Sequence, residues 1–109
     1  MKYVPITGPD GVPRKALAAV DLDDDRVCIA RVGDNYYVFS DACPHAACPL
    51  SEGTLEGSIL SCNCHGSEFD VSTGRVLSEP AEQSLLRYPV RIVNGRLEID
   101  VEGATRSPL

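Results

Sequence analysis

Two short segments hold both histidines of the chain and four of its five cysteines. The first reads Asp41-Ala42-Cys43-Pro44-His45-Ala46-Ala47-Cys48-Pro49-Leu50. The second reads Ser61-Cys62-Asn63-Cys64-His65-Gly66-Ser67-Glu68-Phe69-Asp70. Thiolates and imidazoles hold soft and borderline transition metals, so their concentration in one stretch points to a metal centre. Two pairs stand out, Cys43-x-His45 and Cys62-x-x-His65, with sixteen residues between His45 and Cys62. Pairs this close aim both side chains inward only from a tightly turned backbone. Pro44 stiffens the first turn and Gly66 frees the second.

On the residues alone three centres compete. A structural Cys2His2 zinc site would accept these ligands, but its usual spacing pairs Cys with Cys and His with His. A plant-type cluster on four cysteines fits Cys43-x4-Cys48, yet Ser51 stands where the next cysteine belongs, and Cys62-x-Cys64 is too close for easy chelation. A 2Fe–2S cluster with two cysteines on one iron and two histidines on the other uses both pairs as they stand.

The pattern Cys43-Pro-His45 … Cys62-x-x-His65-Gly66 resembles the signature of the Rieske iron–sulfur family. Pro49-Leu50-Ser51-Glu52-Gly53, Phe69-Asp70-Val71-Ser72-Thr73-Gly74, Pro80 and the hairpin Tyr88–Val101 extend the likeness over residues 2–101. The resemblance implies an all-β Rieske fold of three stacked antiparallel sheets, with one 2Fe–2S cluster held at one tip by two loops. Cys43 and Cys62 would bind the buried iron, His45 and His65 the outer one. Neutral imidazoles in place of two thiolates leave the centre less negative and easier to reduce, within roughly −150 to +300 mV against about −400 mV for the plant type.

Cys48 and Cys64, one in each loop, match the disulfide-bearing branch of the family. A Cys48–Cys64 bridge would pin the loops over the cluster, worth about 3 kcal/mol by loop entropy; two buried free thiols are the alternative in a reducing cytoplasm. Ser67 and Phe69 fall where high-potential relatives carry a serine and a tyrosine that donate hydrogen bonds to sulfur. Phe69 has no hydroxyl, and Ser67 could equally bond backbone in a turn. Pro80 would belong to a third loop covering the cluster, or to an ordinary turn. Beside the ligands, Pro44, Ala46, Ala47, Pro49 and Leu50 suggest a small apolar docking tip.

The elements that must position these loops are strands. Lys2–Ile6, Lys15–Val20, Arg26–Val32 and Tyr36–Phe39 are β-rich, with an acidic turn Asp21–Asp25 and a turn at Gly33-Asp34-Asn35. Asn94-Gly95 between Tyr88–Val93 and Arg96–Val101 is a two-residue hairpin signal. Gly53 and Gly57 around Leu55 suit a β-turn, Pro80–Leu86 is the one helical turn, and Gly103–Leu109 reads as a frayed tail. Tyr36 and Tyr37 alternate faces, one core and one surface. Cys28, in a β-rich run, reads as a small buried hydrophobe. The ligand segments fall in a Gly/Pro/Ser/Cys-rich insert, residues 41–80.

At 109 residues the chain makes a single domain, 1–109. Its 24% charged and 43% hydrophobic composition is that of a soluble globular protein. No apolar run is long enough for a membrane span, and Met1–Gly11 lacks the apolar core of a secretory signal, which together suggest the cytoplasm. Net charge is −6, and each half carries five basic and eight acidic groups, so nucleic acid would be repelled. No nucleophile–base pair can be assembled once both histidines serve the metal. The resemblance implies an electron carrier rather than an enzyme: a monomeric Rieske-type ferredoxin between a ferredoxin reductase and a terminal oxygenase. A small Rieske subunit of a larger redox enzyme and a zinc-stabilised interaction module are the alternatives.

Overall fold

A computed structural model describes residues 1–7, 16–22, 25–42, 48–63, 66–78 and 84–106. Its centre is a strand whose middle is covered on both faces. In β3 (Asp25–Val32), Val27, Cys28, Ile29 and Ala30 are all buried. Neighbouring side chains on a strand point to opposite faces, so four successive buried residues require cover on both. β3 lies between β2 (Leu17–Leu22) and β4 (Asn35–Ser40). β9 (Leu86–Tyr88) and β12 (Thr105–Arg106) complete a five-stranded antiparallel sheet in the order β12-β9-β4-β3-β2.

One face of this sheet meets a three-stranded sheet of β1 (Tyr3–Pro5), β11 (Arg96–Asp100) and β10 (Val90–Val93). Val27, Ile29 and Val38 pack there against Ile6, Leu97 and Ile99. The other face meets a four-stranded sheet of β5 (Thr54–Glu56), β6 (Ile59–Ser61), β7 (Glu68–Asp70) and β8 (Val76–Ser78). Cys28, Ala30 and Phe39 pack there against Leu50, Leu60, Phe69 and Val71. The three antiparallel sheets expected from the family resemblance are present.

Several local expectations change. Asp21, Leu22 and Asp25 are not in a turn: they continue the β2–β3 ladder, Asp21 opposite Arg26 and Leu22 opposite Asp25. Tyr88–Val93 is not one strand. Pro89 has no N–H for a ladder, and there the chain leaves β9 in one sheet and enters β10 in another. Leu86 begins β9 rather than ending a helical turn; residues 80–83 of that segment lie outside the described residues. Leu55 sits inside β5, and the turn falls at Gly57, whose φ is 59°. Thr105 and Arg106 of the expected tail pair with Arg87 and Leu86. Tyr36 and Tyr37 are both half-buried, because each face of the sheet is covered. The Asn94-Gly95 turn is as expected, both residues having positive φ (52° and 77°). Cys28 is a core residue; burial first, and then Asp41, push its thiol up to about 12.

Asp100 closes the three-stranded sheet. Its carboxylate accepts from the Lys2 amide (2.8 Å) and the Glu102 amide (3.1 Å). The Lys2 bond is the main cause of a pKa below the ordinary 3.8. The resulting stabilisation is complete above that ordinary value and is lost as pH falls through the lower folded one. Acid melting curves of Asp100→Asn should therefore fall less steeply over this range than those of the parent protein.

Candidate metal centre

The two segments expected to carry the ligands both border the second core, the first through Leu50 and the second through Cys62. The first is closed at its neck. Ala42 and Pro49 form an isolated antiparallel bridge, and the Leu50 amide donates to the Asp41 carbonyl (2.7 Å). A short 3₁₀ turn, Leu50–Glu52, follows. Leu50 is fully buried, which corrects its expected place on an exposed tip: its side chain anchors the neck in the core.

The second segment is a tight excursion between β6 and β7. The Cys62 amide donates to the Ser67 carbonyl (2.8 Å), and the Gly66 amide donates to the Cys62 carbonyl (3.0 Å). Gly66 has φ 78°, a conformation that a side chain disfavours. Cys62 is a free thiol, buried beside Leu60, Phe69 and Leu50 in one cluster. Ser67 and Phe69 are also buried. Phe69 sits opposite Leu60 and Val76, so its ring is a central piece of this core.

The two segments are tied together. The Asn63 side-chain amide donates to the Glu52 carbonyl. Gly53 lies so close to β6 that a Cβ there would collide with the Ser61 carbonyl oxygen. Of the predicted site residues, Cys48, Cys62, Ser67 and Phe69 are described; Cys43, His45, Cys64, His65 and Pro80 lie outside the described residues. Cys48 is half-buried, packs against the Cys62 core and is disulfide-bonded.

Asp41 and Asn63 have no part in the sequence reading, where Ser51 enters only as the residue at a missing cysteine position and Gly53 only as a turn residue. The carboxylate and hydroxyl of Asp41 and Ser51 flank the first segment, ten positions apart. Only the pairing of its two ends makes them neighbours.

A family model described as the Rieske [2Fe-2S] domain matches residues 2–89. The ferredoxin component of a naphthalene 1,2-dioxygenase system from Pseudomonas aeruginosa is 33% identical over 83% of this chain and 86% of its own length. The ferredoxin component of a 2,4-dinitrotoluene dioxygenase system from Burkholderia sp. (strain RASC) is 36% identical over 92% of this chain and 96% of its own. Among solved structures, one described as a complex of reduced oxygenase and oxidized ferredoxin in carbazole 1,9a-dioxygenase contains a chain that aligns with a TM-score of 0.78 and 30% identity, covering 89% of this chain and 91% of that one.

Proposed function

The chain belongs to the Rieske [2Fe-2S] domain family, and from that membership we propose that Cys43, His45, Cys62 and His65 hold its single cluster. The relatives are ferredoxin components of dioxygenase systems, and this chain is an electron-transfer protein of the same kind. The family match over residues 2–89 carries this reading. The residues present fit the group: Cys62 is a free, buried thiol between apolar side chains, and the four proposed donors make the mixed thiolate–imidazole set of such centres. When bound, the cluster takes up and releases one electron.

The protein's own residues exclude water and set the field around the site. Leu50, Leu60 and Phe69 cover Cys62 from the core side. Ser67 is a tuning residue whose hydroxyl donates to sulfur and favours the more negative reduced state. Ser67→Ala should then lower the reduction potential, read by spectroelectrochemistry; an unchanged potential would mean that the hydroxyl serves backbone. Phe69 leaves the second tuning position without a donor, and Pro80 covers the cluster from a third loop. A Cys48–Cys64 disulfide joins the two ligand segments; non-reducing peptide mapping decides this pairing.

The protein works as a monomer in the cytoplasm, is not itself a catalyst, and passes single electrons from a ferredoxin reductase to the terminal oxygenase of a ring-hydroxylating dioxygenase. No helix among the described residues is long and apolar enough to cross a membrane. Partners dock at the tip around His45 and His65, where Pro44, Ala46 and Ala47 offer the small apolar contact of a brief redox encounter. The net charge of −6 favours a basic partner surface. The test is turnover of a reconstituted reductase–ferredoxin–oxygenase chain. Ala46→Glu should impair it while leaving the visible spectrum intact, and reduction by the reductase should slow as salt rises. Full turnover by Ala46→Glu would move the docking site elsewhere.

A further inference from the structure

We propose that Asp41 is a positioning residue: it clasps the neck of the first ligand-bearing segment and locks that neck to the five-stranded sheet. The inference rests on Cys43 and His45 being ligands, and it adds a residue that supports them.

Asp41 is 3% exposed, and a carboxylate so placed is costly unless its oxygens are satisfied. Here they are. Oδ1 accepts from the Ser51 amide at 2.7 Å, and Oδ2 accepts from the Ser51 hydroxyl at 2.9 Å. Oδ2 also lies 3.3 Å from Nε of Arg26. The backbone takes part as well: the Asp41 amide donates to the Arg26 carbonyl (2.9 Å), and the Asp41 carbonyl accepts from Leu50 (2.7 Å). One residue thus grips the far side of the neck through Ser51 and Leu50, and the central strand through Arg26.

Closing a chain reversal does not by itself require a buried charge. The Ala42–Pro49 bridge already pairs the two sides, and a neutral side chain would avoid the desolvation cost. What a carboxylate adds is two directional, charge-assisted bonds that fix the neck in one geometry. Cys43 stands two residues further along the chain, so a displaced neck displaces a ligand. Removing a group that hydrogen-bonds a metal ligand directly typically changes metal affinity about 10- to 100-fold; Asp41 acts through the backbone of the neck instead, and that range sets the scale expected for its loss. Arg26 is the weaker half of the clasp, because its side chain is half-exposed and also faces Asp21 at 3.8 Å.

The experiment uses the intact holo-protein and four variants: Asp41→Ala, Asp41→Asn, Ser51→Ala and Arg26→Gln. It reads the rate of cluster bleaching by an iron chelator and the g-values of the reduced protein. Both Asp41 variants should lose the cluster about 10- to 100-fold faster and show displaced g-values, with Ser51→Ala intermediate and Arg26→Gln closest to the parent. The reduction potential supplies a charge signature: it should rise in Asp41→Asn and fall in Arg26→Gln, whereas simple loosening would move both the same way. If Asp41→Ala does not fold, the near-isosteric Asp41→Asn and Ser51→Ala decide. Lower melting temperatures with unmoved g-values and parental bleaching rates in those two would overturn the proposal and make Asp41 a scaffold residue. A parent protein that binds no iron would show instead, before any variant is compared, that the ligand reading has failed.

Discussion

Cys62→Ser is expected to abolish cluster binding outright. Cys62 is a free thiol, 3% exposed, directly after β6, and in the proposed ligand set it supplies one of two thiolates. A serine hydroxyl is a harder and far less acidic donor than a thiol, and it holds cluster iron much more weakly than a thiolate does. No water can fill the gap easily, since Leu50, Leu60 and Phe69 close the site from within. Iron and labile sulfide analysis should fall from stoichiometric to background, and the visible absorption should vanish. Metal binding is also folding free energy, so the variant should melt at a lower temperature. His45 and His65 replaced by non-ligands should behave alike. Cys28→Ala is the control. Its thiol is pushed up to about 12 by burial, so it is not a thiolate at neutral pH, and the variant should keep its full iron content.

Gly53→Ala should be the most damaging substitution at a position that is not a ligand. The reason is contact, not backbone strain: Gly53 has φ −80°, which any residue can adopt. An added Cβ would collide with the Ser61 carbonyl oxygen and lie 3.1 Å from that of Leu50. Both obstacles are backbone, so either the 3₁₀ turn or β6 must shift. The expected loss is about 3–5 kcal/mol, at the severe end for one substitution. For a domain of this size that lowers the melting temperature by more than about 10 °C. Ser61 immediately precedes Cys62, so iron content should fall as well. Gly57→Ala gives the contrast. Its φ is 59°, but its Cβ would meet nothing within 4 Å, and only the left-handed conformational cost of roughly 1–2 kcal/mol applies. Thermal melts of the two variants beside the parent separate the mechanisms.

The chemistry of this protein was more legible in its sequence than its architecture was. Cys43-x-His45 and Cys62-x-x-His65 announce a centre because cysteine and histidine are scarce and their spacing is restrictive. The Asn94-Gly95 turn and the β3–β4 pair were legible for a similar reason: turn residues with a special backbone requirement, flanked by β-branched and aromatic runs. The four-stranded sheet carrying the second loop was not. Its strands have three residues each, too few for alternation to register, and glycine and serine between them read as loop. Leu50 looked like tip surface because its neighbours are proline and small residues, yet the Asp41–Leu50 bond turns it into the core. Tyr36 and Tyr37 looked like one buried and one exposed ring, since a single strand does not reveal that both faces of its sheet are covered. The Asp41–Ser51 clasp is invisible to local reading altogether: neither residue belongs to a metal motif, and only the closure of the neck brings them within 2.9 Å.

The proposed ligand set gives the 2Fe–2S cluster two cysteines and two histidines. Electron paramagnetic resonance of the chemically reduced protein tests it most directly, because mixed histidine and cysteine ligation sets the g-values apart from those of an all-cysteine cluster. The protein should be red-brown and should give, on one-electron reduction, a rhombic signal with a low average g. A colourless, signal-free protein containing equimolar zinc, or a signal of the all-cysteine type, would contradict it.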